Sequence, residues 1–159
     1  MVKIRNIETL LLESPFFQSF PQDQLSLLAK CSEIVHFNEN ELLLTEGEKA
    51  DYCYLILSGG VAIESYYPGR EALVVSKVTT QGIVGFSWLF PPFRNQFDAR
   101  AVTRGSAIKL KGSCLLPIIE SDHELGYHLL KGFSAIMLQR MQTARRQMLD
   151  IYGHSKKLT

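Results

Sequence analysis

The chain has 159 residues and a formal net charge of +1, enough for one domain with a real hydrophobic core and too little for a second. Lys and Arg are nearly balanced by Asp and Glu, which excludes a global pull toward nucleic acid or an anionic membrane and leaves only local contacts of that kind. Met1 to Asn6 lack the apolar run of a secretory signal, and no stretch is apolar for long enough to cross a bilayer, so a soluble cytoplasmic protein without membrane insertion is expected. Cys31, Cys53 and Cys114 are odd in number, far apart and free of Cys-x-x-Cys spacing. That pattern argues against both a disulfide framework and a zinc site, and the three read as small buried fillers.

In chain order, Leu10-Leu11-Leu12 stand in a helical setting, and Ser14-Pro15 predicts a restart, Ser as cap and Pro at the first helical position. Pro21 opens a further short helix with Leu25, Leu27, Leu28 and Ala29 on its apolar face, ended by Cys31-Ser32. From Glu33 the period falls to two. Ile34 to Phe37, Glu41 to Thr45, Tyr52 to Leu57, Val61 to Tyr66, Leu73 to Val78, Ile83 to Val84, Phe97 to Thr103 and Ala107 to Leu110 read as eight short strands. Turn residues separate them, including Asn38-Glu39-Asn40, Ser58-Gly59-Gly60 and Pro68-Gly69. Strands this short and numerous favour a jelly roll or a small barrel. Tyr52 to Leu57 is apolar on both alternations, which places it centrally.

After Gly112 the helical period returns. Ser113 to Glu120 predicts a short helix that tolerates Pro117 near its first turn. Ser121 and Glu124 form a capping-box pattern for a long helix running to Tyr152 and ended by Gly153. Such a helix is about 45 Å long and overruns a small barrel. Its stripe of Leu130, Phe133, Met137, Met141, Ala144, Met148 and Ile151 is spaced like a coiled-coil seam. The first half, around Tyr127 to Phe133, reads as folded back on the barrel. Met137, Met141, Ala144, Met148 and Ile151 read as a homodimer contact. The division is then residues 1–121 for the barrel and its leading helices, 122–153 for the long helix, and 154–159 for a tail.

The segment from Val84 to Val102 carries the candidate site. Phe86, Trp88, Phe90, Phe93 and Phe97 give it more apolar mass than a surface loop needs, so it tucks into a core or covers something. A Gly followed by one helical turn aims backbone N–H groups at an anion, and Arg94 adds charge nearby. The candidate ligand-binding residues are Gly85, Phe86, Ser87, Trp88, Leu89, Arg94, Asn95 and Gln96. Asp98 and Arg100 share one face of a strand and are expected to pair with each other.

With Thr45-Glu46-Gly47-Glu48-Lys49-Ala50-Asp51, Tyr54 to Val61 with its Ser-Gly-x-Val turn, and the cassette opening at Gly85, nearly the whole chain resembles the cyclic nucleotide-binding domain of the catabolite activator and protein kinase A regulatory subunit family. The resemblance implies an eight-stranded β-roll, mainly β with flanking helices, whose cassette holds a cyclic phosphate while the last helix closes over the base and dimerises. The family's usual cassette is Gly-Glu-x-x-Leu followed by Arg-x-Ala-x-Val, with Glu on the ribose hydroxyl and Arg on the phosphate. Here Gly85 and Leu89 match, Phe86 stands at the Glu position, and Asn95 falls at the Arg position with Arg94 one residue away. Losing a charge-assisted ribose contact forfeits ~1.5–3 kcal/mol, about tenfold or more in affinity. Two readings stay open. Either an altered pocket takes an anionic ligand, a cyclic nucleotide or cyclic dinucleotide among the candidates, or aromatic rings fill the cavity of a ligand-free dimeric interaction module.

No Walker loop, Gly-x-Ser-x-Gly or Cys/His pair is present, so no catalytic site and no cofactor are expected. His123, Glu124 and His128 lack the spacing that puts two imidazoles on one helix face, so no metal is expected there. Arg140, Arg145, Arg146, Lys156 and Lys157 read as a solvated helix face. The six residues after Gly153 cannot form a recognition helix, so sequence-specific DNA binding is not expected and the output is assigned to a separate partner protein.

Overall fold

The structure, a computed structural model, describes residues 6–157. Two short helices, α1 (Ile7–Glu13) and α2 (Gln22–Lys30), lead into eight strands. These are β1 (Ser32–Phe37), β2 (Leu42–Leu44), β3 (Tyr52–Ser58), β4 (Val61–Ser65), β5 (Leu73–Val78), β6 (Ile83–Val84), β7 (Asp98–Ala101) and β8 (Gly105–Lys111). Helices α3 (Gly112–Ser121) and α4 (His123–Lys157) close the described chain. The strands form two antiparallel four-stranded sheets, ordered β1-β8-β3-β6 and β2-β7-β4-β5, which makes the β-roll that the alternation and turn residues predict.

Strand β3 shows why both its alternations are apolar. Tyr54 and Ile56 enter the core between the sheets with Phe37, Val61, Ile63 and Ala99, whereas Cys53 and Leu55 enter a second core beneath the helices with Leu25, Leu28, Leu115 and Leu125. Strand β8 divides the same way, Ala107 to the roll and Ile108 and Leu110 to the helices. One sheet thus has two apolar faces, one sealed by the other sheet and one by helices.

Four local expectations are corrected. Ser14 caps the end of α1, and the segment after Pro15 forms turns rather than a helix. Pro117 lies in the second turn of α3, where it withholds the N–H that would have bonded the Ser113 carbonyl. Asp122, not Ser121, caps α4: its Oδ1 accepts from the Leu125 N–H at 3.1 Å, while the Ser121 hydroxyl donates back to the Pro117 and Ile118 carbonyls. Gly153 does not end α4, which continues to Lys157; a glycine costs a helix only about 1 kcal/mol when the flanking turns hold.

The largest correction concerns the cysteines. Cys31 and Cys114 form a disulfide with Cα atoms 5.6 Å apart, and only Cys53 is the buried filler expected. The pairing follows from topology rather than spacing. Ser32 at the start of β1 pairs with Leu110 near the end of β8, and the Lys111 N–H donates to the Cys31 carbonyl at 2.9 Å. Cys114 follows within the first turn of α3 and meets Cys31. A closure over 83 residues restricts the unfolded chain by about 4–5 kcal/mol on the chain-entropy account.

Burial pushes the Cys53 thiol up to about 12. At pH 9 only about one molecule in a thousand carries the thiolate, so native protein is expected to react with no thiol reagent between pH 7 and 9. Unreduced protein in denaturant should titrate one thiol, and reduced protein three. Three thiols in denaturant without reductant would remove the disulfide.

Candidate ligand-binding site

Strand β6 ends at Val84, and the chain turns through Gly85 at φ +89°. A Cβ here would stand 2.6 Å from the Tyr52 carbonyl, so glycine alone lets the chain leave the strand in this direction. Phe86 leads into a single 3-10 turn, Ser87–Leu89, closed by the Leu89 N–H donating to the Phe86 carbonyl at 3.2 Å. Among the described residues the Ser87 and Trp88 amides have no protein acceptor. The Pro91-Pro92 peptide is cis and Phe93 has φ +59°.

The cassette rings are fixed by α4. Phe86 stacks on Phe133 at 4.8 Å with 14° between planes, and Trp88 meets the same ring edge-on at 6.3 Å. The Trp88 side chain is buried, its indole N–H donating to the Gly85 carbonyl at 3.2 Å. Gly112 makes room for it: a Cβ there would be 2.7 Å from the indole. Phe86 and Trp88 therefore belong to the core beneath the helices.

The polar half of the cassette serves the scaffold. Arg94 is exposed and its guanidinium donates to the Gly47 carbonyl at 3.1 Å. Asn95 is buried, its amide donating to the Thr45 carbonyl at 3.1 Å while its backbone pairs with Gly47 and Glu48. Gln96 is exposed and donates to the Arg94 carbonyl at 3.0 Å. These bonds pin the cassette to the loop between β2 and β3. Asp98 also serves that loop, accepting from the Glu46 N–H at 2.7 Å, and Arg100 pairs with Glu64 at 3.3 Å instead of with Asp98. Two residues apart on β7, Asp98 and Arg100 each find a nearer partner on a neighbouring segment.

Sequence reasoning missed Arg140. It is not on the solvated face of α4: the guanidinium donates to the Ile83 carbonyl and lies 5.6 Å from the Phe86 ring and 5.9 Å from the Phe97 ring. Burial pulls its pKa down, and among the described residues no carboxylate lies within ion-pair distance. Leu125, Leu129, Phe133, Ile136 and Arg140 form the face of α4 turned to the roll, a spacing visible in the sequence once Phe133 is known to face inward. The predicted stripe mixes this face with another. Phe133 belongs to the roll, while Met137, Met141, Ala144, Met148 and Ile151 are exposed. His128 Nε2 stands 3.7 Å from a Glu124 carboxylate oxygen one turn away, the ordinary i,i+4 contact of a helix surface.

Beside Arg140, α4 and the β5–β6 edge enclose a groove of about 1270 Å³ with Lys77, Lys131 and His128 on its walls and no Asp or Glu. Among the described residues its lining therefore carries basic side chains and no acidic one. Gly85 to Leu89, Arg94, Asn95 and Gln96 do not line it.

Phe133 joins the cassette to α4, so Phe133→Ala is expected to cost about 3–5 kcal/mol. Urea unfolding followed through Trp88 fluorescence should show this together with a red-shifted native spectrum. A native spectrum like that of the parent would mean that Trp88 is not held by this ring.

The cyclic nucleotide-binding domain profile matches residues 34–122. Over 146 residues the chain is 24% identical to a CRP-like cAMP-activated global transcriptional regulator of Mycobacterium tuberculosis, covering 91% of this chain and 63% of that protein. It thus spans less than two thirds of that curated relative. A cyclic nucleotide-binding protein structure from Geobacter metallireducens GS-15 superposes with a TM-score of 0.75 at 28% identity, covering 87% of this chain and 99% of that one. The regulatory subunit of a cAMP-independent protein kinase A from Trypanosoma cruzi, bound to guanosine, superposes at 0.60 with 23% identity, covering 70% of this chain and 41% of that one. With the roll, the glycine-led cassette and the terminal helix in place under a profile match that spans more than half of its length, the chain belongs to the cyclic nucleotide-binding domain family.

Proposed function

We propose that this domain is a non-catalytic regulatory sensor for a small anionic, nucleotide-like ligand, and that it signals through α4 to a partner protein. The observation that carries the reading is Arg140, a partly buried guanidinium held by one carbonyl and two rings, with no acid within ion-pair distance among the described residues and an acid-free groove alongside. A buried cation of this kind is stabilised by an anion. In this reading Arg140 on α4 takes the role that the family assigns to the cassette arginine. Ligand binding then acts on the helix directly, because the anion would touch α4 itself. A ligand biases two helix positions only by its difference in affinity for them. The exposed Met137, Met141, Ala144, Met148 and Ile151 supply the surface for a second copy, with the output partner bound to the resulting dimer.

The competing reading is a ligand-free dimeric interaction module. Phe86 and Trp88, buried against Phe133 where a ribose contact would stand, favour it. Calorimetry with cyclic AMP, cyclic GMP and cyclic dinucleotides separates the two. The sensor reading expects heat from at least one, lost with Arg140→Gln. Silence from all three, with the native fold intact by circular dichroism, would leave the module reading.

In either reading the chain should sediment as a dimer that Met141→Glu or Ala144→Glu converts to a monomer; a parent of single-chain mass would remove the helix contact. Among the described residues no helix is long and apolar enough to cross a membrane. The proposed cytoplasmic setting stands beside a disulfide of the kind that oxidising compartments favour, and trapping free thiols at the moment of lysis tests it. Two protected cysteines would point to an oxidising setting.

A further inference from the structure

Strand β5 ends the sheet ordered β2-β7-β4-β5, so one side of it has no strand partner. That side is a wall of the groove. A strand that turned one face to the groove would contribute every second residue, whereas Val74 to Val78 line it without a break. The Gln147 side chain on α4 donates to the Val75 carbonyl at 3.2 Å, and among the described residues no backbone N–H from outside the sheet meets this edge.

An open strand edge bordered by a helix accepts an extended peptide as an added strand. The charges around it select the peptide. Lys77 stands on the edge itself and Lys131 and Arg140 on α4, and no Asp or Glu lines the groove. A small anion would answer these cations and leave the edge unpaired, while an uncharged peptide would do the reverse. An extended acidic segment does both, its amides on β5 and its carboxylates on the cations. The dimensions agree. The six residues of β5 span about 20 Å, and Lys131 and Arg140 are about 13 Å apart along the axis of α4, so one short segment reaches both.

We infer that the groove docks an extended acidic segment of a partner protein, which adds to the free edge of β5 as a further strand and sets carboxylates against Arg140, Lys77 and Lys131. The inference names the partner of the same groove and rests on the reading proposed above for one contact, the anion at Arg140. A peptide N–H arriving at the Val75 carbonyl displaces Gln147, whose side chain is exposed and free to leave. A carboxylate at Arg140 also excludes a small anion from it. Partner and ligand then compete, and each acts on α4.

The test is fluorescence anisotropy of a dye-tagged, end-capped heptapeptide alternating Glu with Val, added to the full chain. The acidic peptide should bind, and its counterpart with Gln for every Glu should bind about tenfold more weakly. Lys77 is exposed, so Lys77→Glu should weaken the acidic peptide by about as much and leave the melting temperature unchanged. An added strand bonds its neighbour through every second residue. Methylating the peptide amides of one alternation should therefore abolish binding, and methylating the other should spare it. No binding, equal loss from the two methylated peptides, or indifference to the Glu-to-Gln exchange overturns the inference. A peptide copying Leu73–Val78 that binds as tightly as the acidic one overturns it in favour of a second copy of this chain. Heat from a cyclic nucleotide that needs Arg140, with no peptide bound, sinks the added strand alone. Binding that keeps its dependence on one alternation and on Lys77 but is indifferent to Arg140→Gln upholds the strand and sinks the anion anchor.

Discussion

The structure depends on one aromatic ring. Phe133 of α4 receives Phe86 face to face and Trp88 edge-on from the cassette, and Phe16 from the N-terminal turn at 5.5 Å. Three segments remote in sequence are therefore positioned by a single side chain on the long helix. Aromatic pairs at these separations contribute about 0.5–1.5 kcal/mol each beyond the area they bury, so displacing α4 by even part of a turn would lose several favourable terms together. Cassette and helix behave as one packed unit, and a change at either end has a physical route to the other.

Much of the roll was legible because its signals are local. Alternation marks each strand, and residues with positive φ stand where the chain must reverse, as at Gly59 between β3 and β4. The double burial of β3 was also legible, since a strand covered on both sides has no polar alternation. The Cys31–Cys114 bond was not, because it needs the β1–β8 register, which no spacing rule supplies. Ser121 and Asp122 are adjacent good caps, and which one serves is settled by the bend between α3 and α4 rather than by residue type.

The site shows the same limit more sharply. Gly85 and the burial of Trp88 could be read from the segment's composition, but the direction of each polar side chain could not. Arg94 and Arg140 look alike in a sequence, and Arg94 sits in the cassette. In the tertiary structure Arg94 is exposed on the Gly47 carbonyl, whereas Arg140 lies beside the Phe86 ring, seven residues after Phe133 and so two helical turns along the same face. Placing Arg140 required knowing which face of α4 meets the roll, and the mixed apolar stripe concealed that.

On the proposed sensor reading, Arg140 also bears on how a signal would leave the site. Its bond to the Ile83 carbonyl ties α4 to β6, the strand that leads into Gly85 and the cassette. An anion arriving at the guanidinium competes with that carbonyl for the same N–H donors, and a charged acceptor makes the stronger bond. Binding would thus weaken one attachment of α4 to the roll while adding another through the ligand. Phe133 holds the helix against translation near its first third, and Gln147, donating to the Val75 carbonyl at 3.2 Å, is the far contact. On that reading the segment between these two points is the part whose position an anion at Arg140 would change, and it carries Met137, Met141 and Ala144 on its exposed side.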